Sequence, residues 1–291
     1  MRPRRLAATG WIVLLALTGC GGDKKTAPPN STETDPGIVH AHGLGVDPAD
    51  GALFIATHTG LFRSPEGEDK ARRVGQSFQD TMGFAVTGPG RFLGSGHPDA
   101  QSDKPPMLGL IQSEDAGKSW TSVALEGEAD FHVLRPAGRD VIGYDSIGNR
   151  LLRMTMNGTA IKLSKPRGTV IDLAINPASA RHYVTATDTG IYESLDAGGR
   201  WSHLDRRRTG LLAYLESDGL TLVRGDGVVE QRTSGGDWRQ VGRVQGRPGA
   251  LAAHEDTLYL AVQDGPVLQS SDGGRTWNQR VAAGALIQSA K

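Results

Sequence analysis

Apolar residues along this chain come in short runs, each closed by a turn rich in glycine, asparagine or aspartate, which is the signature of strands. Leu53-Phe54-Ile55 leads into Ala56-Thr57-His58-Thr59-Gly60-Leu61-Phe62-Arg63-Ser64. Tyr183-Val184 leads into Ala186-Thr187-Asp188-Thr189-Gly190-Ile191-Tyr192-Glu193-Ser194. The two segments align residue for residue and differ mainly at His58 versus Asp188. Each predicts a strand, a tight turn and a second strand. Leu44-Gly45-Val46, Phe84-Ala85-Val86, His132-Val133-Leu134 and Leu173-Ala174-Ile175 predict inner strands. Their polar–apolar alternation is imperfect, as expected of strands buried on both faces.

A second repeat gives the period. Ser113-x-Asp115-x-Gly117-x-x-Trp120, Ser194-x-Asp196-x-Gly198-x-x-Trp201 and Ser270-x-Asp272-x-Gly274-x-x-Trp277 share one template. They lie about 80 residues apart, twice the ~40-residue period of a β-propeller blade. A degenerate copy is expected midway in each gap, and Arg153–Thr159 and Thr233–Trp238 fill those places. The template resembles the Asp-box, or bacterial neuraminidase repeat, a hairpin between the two outer strands of a blade. That resemblance implies structural roles: Asp caps turn N–H groups, Gly takes a positive φ, and Trp packs on the blade. Both landmarks together predict an all-β propeller of six blades, at 41–76, 80–126, 128–165, 168–206, 209–243 and 247–283. A seven-bladed ring, the alternative, needs one more repeat. Ile38-Val39-His40 is expected to complete the last blade as a closing strand. Blade 2 is the longest, by an insertion at Pro98–Pro106 between its second and third strands.

The N-terminus departs from this pattern. Met1-Arg2-Pro3-Arg4-Arg5 is basic, Leu6–Leu17 is a short, mostly apolar run, and Leu17-Thr18-Gly19-Cys20 follows. A basic flank and a core too short to span a bilayer predict a secretory signal over residues 1–19. Leu-Thr-Gly-Cys resembles the bacterial lipobox, which implies cleavage before Cys20 and its lipidation. Residues 20–37 are polar and rich in Gly, Pro, Ser and Thr, a flexible tether, leaving 38–291 as a single propeller domain. The expected location is therefore outside the cytoplasm, tethered to a membrane through Cys20. Cys20 is the single cysteine, so the domain has no disulfide, thiolate metal site or thiol nucleophile. Lysines and arginines balance aspartates and glutamates at 32 each, and without a basic stripe nucleic acid is not an expected partner.

In a blade, the start of the inner strand and the end of the second strand lie at one mouth of the central channel. At the second-strand ends stand His58, His97, Asp145, Asp188, Asp226 and Asp264. Aspartate beside glycine is ordinary turn chemistry, and blades 1 and 2 replace it with histidine. At the inner-strand starts stand His42, Met82 and Asp130, with His40 two residues before His42. His40, His42, His58, His97 and Met82 are thus candidate metal ligands. Imidazole with thioether suits copper, and imidazole with carboxylate suits zinc equally. The competing expectation is that these histidines bond neighbouring turns and close the channel. Met107 borders the insertion, and His182, His203 and His254 are expected on the solvated surface.

His40-Ala41-His42-Gly43-Leu44-Gly45, Thr57-His58-Thr59-Gly60-Leu61-Phe62, Met82-Gly83-Phe84 and Ser95-Gly96-His97-Pro98 together resemble a family of bacterial lipoproteins described as glycosyl hydrolase-like. More distantly the chain resembles sialidases, sortilin-type propellers and photosystem II assembly factors. A sialidase-like site would need three arginines on a carboxylate, a Tyr activated by Glu, an Asp acid and a Phe/Tyr-Arg-Ile-Pro segment. Phe62-Arg63-Ser64-Pro65 is its nearest echo and lacks the Ile. Tyr144 is the one candidate nucleophile, and Asp130 with Asp145 the one carboxylate pair for a glycosidase of another kind. The leading expectation is a binding module for a metal ion, copper or zinc, or for an envelope protein. An exo-glycosidase and a protein-docking scaffold are the alternatives.

Overall fold

The computed structural model describes residues 35–217, 219–233 and 235–284. Every regular element among them is a strand, and the strands form six four-stranded antiparallel sheets in chain order. Blade 1 is β1 (Ala41–Val46), β2 (Leu53–Thr57), β3 (Gly60–Ser64) and β4 (Arg72–Arg73). Blade 2 is β5 (Asp80–Gly88), β6 (Arg91–His97), β7 (Leu110–Ser113) and β8 (Thr121–Ala124). Blade 3 is β9 (Phe131–Ala137), β10 (Asp140–Asp145), β11 (Arg150–Thr155) and β12 (Ala160–Lys162). Blade 4 is β13 (Val170–Ile175), β14 (Tyr183–Thr187), β15 (Gly190–Ser194) and β16 (Ser202–Asp205). Blade 5 is β17 (Leu211–Leu215), β18 (Gly219–Val223), β19 (Val228–Arg232) and β20 (Trp238–Arg243). Blade 6 is β21 (Pro248–His254), β22 (Thr257–Val262), β23 (Val267–Ser270) and β24 (Asn278–Val281). The fold is a six-bladed β-propeller, with the blades where the repeats put them. The signal, Cys20 and most of the tether lie outside the described residues.

Burial follows strand position. β2 and β14 are buried along their whole length, whereas outermost β12 is wholly exposed. Strands covered on both faces read as apolar runs. The apolar side chains do not share one centre. They form a separate cluster at each seam between blades, for example Phe54 and Leu61 of blade 1 against Phe84 and Phe92 of blade 2. Blade 6 meets blade 1 through Ala250, Tyr259 and Val267 against Leu44, Val46 and Ile55.

The three Ser-x-Asp-x-Gly-x-x-Trp segments form the turns before β8, β16 and β24, with one bonding pattern. Ser113 Oγ donates to Asp115 Oδ1 (2.9 Å) and accepts from Gly117 N (2.8 Å). Ser194 and Ser270 do the same with Asp196 and Gly198, and with Asp272 and Gly274. The glycines hold φ of 83°, 82° and 87°. A Cβ on Gly117 would stand 2.2 Å from Leu61 Cδ2, and one on Gly274 would stand 2.7 Å from Val229 Cγ1. Glycine is therefore needed for its conformation and for the approach of the preceding blade. The tryptophans likewise pack into the seam with the preceding blade rather than on their own blade alone. The degenerate copies occupy the equivalent turns before β12 and β20, where Asp237 N donates to Thr233 Oγ1.

The expected closing strand is corrected. Blade 6 draws all four strands from β21–β24, so no place remains for Ile38-Val39-His40. That segment lies against blade 1 instead, where Val39 O and His40 O accept from His58 N (3.1 and 3.4 Å) and Ile38 packs at the seam of blades 6 and 1. The ring closes through that apolar seam, through Ala282 N donating to Asp69 O (3.0 Å), and through Arg280 on β24, which is buried and donates to Ser64 Oγ (2.9 Å) and Pro65 O (2.7 Å), and also to Glu68 O.

Candidate metal site at the channel rim

The six inner strands line a central channel of about 640 Å³. Five of them begin with a slip in register against the second strand. The slips leave His42, Met82, His132, Ile171 and Gly249 unpaired. All five residues line the channel. A bulge bends the strand and re-aims the extra side chain, and here it turns one residue per blade toward the opening. Gly43 and Gly83, which follow two of these residues, let the next blade close in. A Cβ on Gly43 would stand 2.7 Å from Phe84 Cβ, and one on Gly83 2.3 Å from Phe131 O.

The bulges shift the expected alignment in blade 3. His132, not Asp130, is the counterpart of His42 and Met82. Two residues before each bulge stand His40, Asp80 and Asp130. Asp80 is the site residue that the sequence reading missed. The signal was present as the i, i+2 spacing shared by His40/His42, Asp80/Met82 and Asp130/His132, and it was hidden by aligning Asp130, two residues out, with His42 and Met82.

His42, His58 and Asp80 each offer a ligand atom, and the three atoms lie within 4.8 Å of one another. His58 Nδ1 contacts Asp80 Oδ2 at 2.8 Å. A carboxylate oxygen accepts, so His58 Nδ1 is the donor in this bond. His42 Nε2 faces Asp80 Oδ1 at 3.9 Å. Both atoms are buried and neither has a hydrogen-bond partner. Burial, and then the neighbouring His58, lower the His42 pKa to about 4 against the opposing pull of Asp80. Its imidazole is therefore neutral at pH 7, the form that binds metals. Metal–nitrogen and metal–oxygen bonds of about 2.0–2.2 Å span the 3.9 Å gap at an obtuse angle, so these donors fit a divalent transition ion. The rings of His42 and His58 meet edge to face, with centroids 4.3 Å apart, and His40 stands 5.5 Å from His58. His40 has φ 45° and turns Nδ1 toward Asp264 of blade 6 (3.9 Å).

The remaining candidates divide. Met82 lines the channel beside His42 and His132. His97 lies one blade further on, with Nδ1 bonded to Pro106 O (2.7 Å) and Nε2 3.8 Å from Asp130 Oδ2. Asp130 Oδ2 also meets His132 Nε2 at 2.8 Å. Asp145 is buried, accepts from Arg150 Nε (2.7 Å), and receives Asp130 N (3.2 Å). Tyr144 points away from the rim. Its ring fills the seam of blades 3 and 4, its hydroxyl donates to Asn149 Oδ1 (3.0 Å), and burial raises its pKa. Two histidines expected at the surface are not there. His182 is partly buried against Glu193 Oε1 (2.8 Å), and His254 lines the channel. His203 is exposed and stacks on Tyr192.

No protein-family model matches the chain. Dispase autolysis-inducing protein from Streptomyces mobaraensis is 25% identical over 198 residues, which are 68% of this chain and 49% of that protein. The chain thus matches about half the length of this curated relative. Among solved structures, the GH74 enzyme of Niastella koreensis superposes with a TM-score of 0.61 at 16% identity, over 84% of this chain and 45% of that one. YCF48 bound to D1 peptide gives 0.53 at 14%, over 84% and 83%. At these identities the structural likeness establishes the propeller and nothing finer.

Proposed function

We propose that the chain is an extracytoplasmic binding module, lipid-tethered through Cys20, whose channel rim takes up a divalent transition metal, copper or zinc, at His42, His58 and Asp80. One observation carries the reading: His42 Nε2 and Asp80 Oδ1 are buried, unpartnered and 3.9 Å apart. Leaving two buried polar atoms without bonds costs stability, and a cation between them would recover it. Two imidazoles and a carboxylate are a donor set for Zn²⁺ or Cu²⁺. His58 would join them through Nδ1, which stands 2.8 Å from Asp80 Oδ2 and would release its proton to solvent on binding.

Titration of the purified chain with Zn²⁺ or Cu²⁺ by calorimetry tests this. Saturable binding is expected, weakened about tenfold or more by His42→Ala and by Asp80→Asn. Unchanged affinity in both variants removes the proposal. The tether is tested separately: Cys20→Ser is expected to move the protein from the membrane to the soluble extracytoplasmic fraction.

A further inference from the structure

We infer that a basic hollow on the outer strands of blade 4 binds a phosphate group carried on an organic ligand with a flat face. Lys165, Arg167, Tyr192, Arg200, Trp201 and His203 line this hollow of about 470 Å³, which shares no residue with the central channel. It lies between the connection from β12 to β13 and the turn that joins β15 to β16. No carboxylate among the described residues lines it.

Arg200 breaks the pattern of its turn. The three Ser-x-Asp-x-Gly-x-x-Trp segments place Ser119, Arg200 and Thr276 immediately before the tryptophan. Ser119 Oγ and Thr276 Oγ1 each donate to the turn aspartate at 2.6 Å. Arg200 gives Asp196 only its backbone N–H (2.8 Å), and its side chain is exposed at the hollow. The turn thus forgoes a side-chain bond, and the hollow gains a guanidinium. Arg167 is exposed there too, and neither guanidinium has a hydrogen bond or an ion pair among the described residues. Lys165 Nζ donates to Pro166 O (3.1 Å) and to Gly168 O, which fixes a third cation in place. Desolvation, then Arg206 and Arg167, lower the His203 pKa, so the local field is positive. Guanidinium forks match the oxygens of phosphate in pairs, and a dianion offsets several cations at once. The aromatic wall is already set. Trp201 Nε1 donates to Ser164 O (3.1 Å), and the Tyr192 and His203 rings lie 4.1 Å apart, tilted by 35°. Such faces take the flat part of a ligand while the cations fix its charged end.

Calorimetric titration of the purified chain with phenyl phosphate, without added metal, tests the site. Saturable binding is expected, weakened about tenfold or more by Arg167→Ala and by Arg200→Thr. Inorganic phosphate is expected to bind about fivefold or more weakly than phenyl phosphate, because it cannot use the aromatic wall. Arg200→Thr restores the hydroxyl that the other two turns carry, so its melting temperature is expected to equal or exceed that of the wild type. Binding lost in that variant is therefore not folding lost. Asp80→Asn, altered at the channel rim, is expected to bind phenyl phosphate as the wild type does. No saturable binding, or affinity unchanged in both arginine variants, overturns the site. Binding lost in Asp80→Asn but kept in the arginine variants would place the ligand at the rim and also overturns it. Equal affinity for inorganic and phenyl phosphate overturns the ligand class.

Discussion

Arg280 on the last strand donates from Nη1 to Ser64 Oγ at 2.9 Å, joining residues 216 apart in sequence. In blades 2, 4 and 6 the equivalent serine is held by the aspartate and glycine of its own turn. Blade 1 has no such aspartate, and the guanidinium of the final blade takes its place. Arg280→Ala would strand Ser64 and Pro65 carbonyls in a buried seam. It is expected to cost about 1–3 kcal/mol, read as a lower midpoint in urea, with unfolding that begins between blades 6 and 1 in hydrogen exchange. A midpoint equal to wild type would show that the apolar seam and the Ala282–Asp69 backbone bond close the ring without Arg280.

The turn aspartates predict acid behaviour. Hydrogen bonds from the Ser119 hydroxyl and backbone bring Asp115 to about 2. In Asp272, burial pushes upward, but bonds from Thr276 and Ser270 outweigh it and again give about 2. Both folded-state values lie below the ordinary carboxylate value of about 3.9. Their contribution is complete above pH ~4 and is lost as pH falls toward 2. Thermal midpoints should therefore drop across that window, and drop less in Asp115→Asn/Asp272→Asn, which starts lower at pH 7. An equal slope in the double variant would exclude these turns as its source.

Gly83 has ordinary strand geometry, so its constraint is space. A Cβ there would stand 2.3 Å from the Phe131 carbonyl oxygen, a backbone atom that cannot rotate away. Gly83→Ala should push β5 off β9 and cost about 1–3 kcal/mol in chemical denaturation. Gly67→Ala is the control: nothing lies within 4 Å of a Cβ there, although its φ of 76° adds backbone strain. A Gly83 variant no less stable than that control would mean the seam relaxes freely.

Blade number, blade limits and the turns before the outer strands were legible because they rest on local patterns. Ser113, Asp115, Gly117 and Trp120 lie within eight positions, and their bonds close within one turn. His58 was legible because it breaks the aspartate repeat, and His42 because it begins the inner strand of the same blade at the same mouth. Asp80 was not, since its partners sit on another blade and a bulge moved its register by one. Tyr144 was named for its neighbour Asp145, but successive strand residues face opposite ways, and its ring lies in the seam.

The chain alone determined the six-fold repeat, because strand and turn preferences act over a few residues and recur at a fixed period. Only the assembled ring decided which side chains meet at its rim and what closes it. Those outcomes depend on bulges that turn single residues into the channel and on contacts between blades far apart in sequence, such as Arg280 with Ser64 and His58 with Asp80. No local preference encodes them.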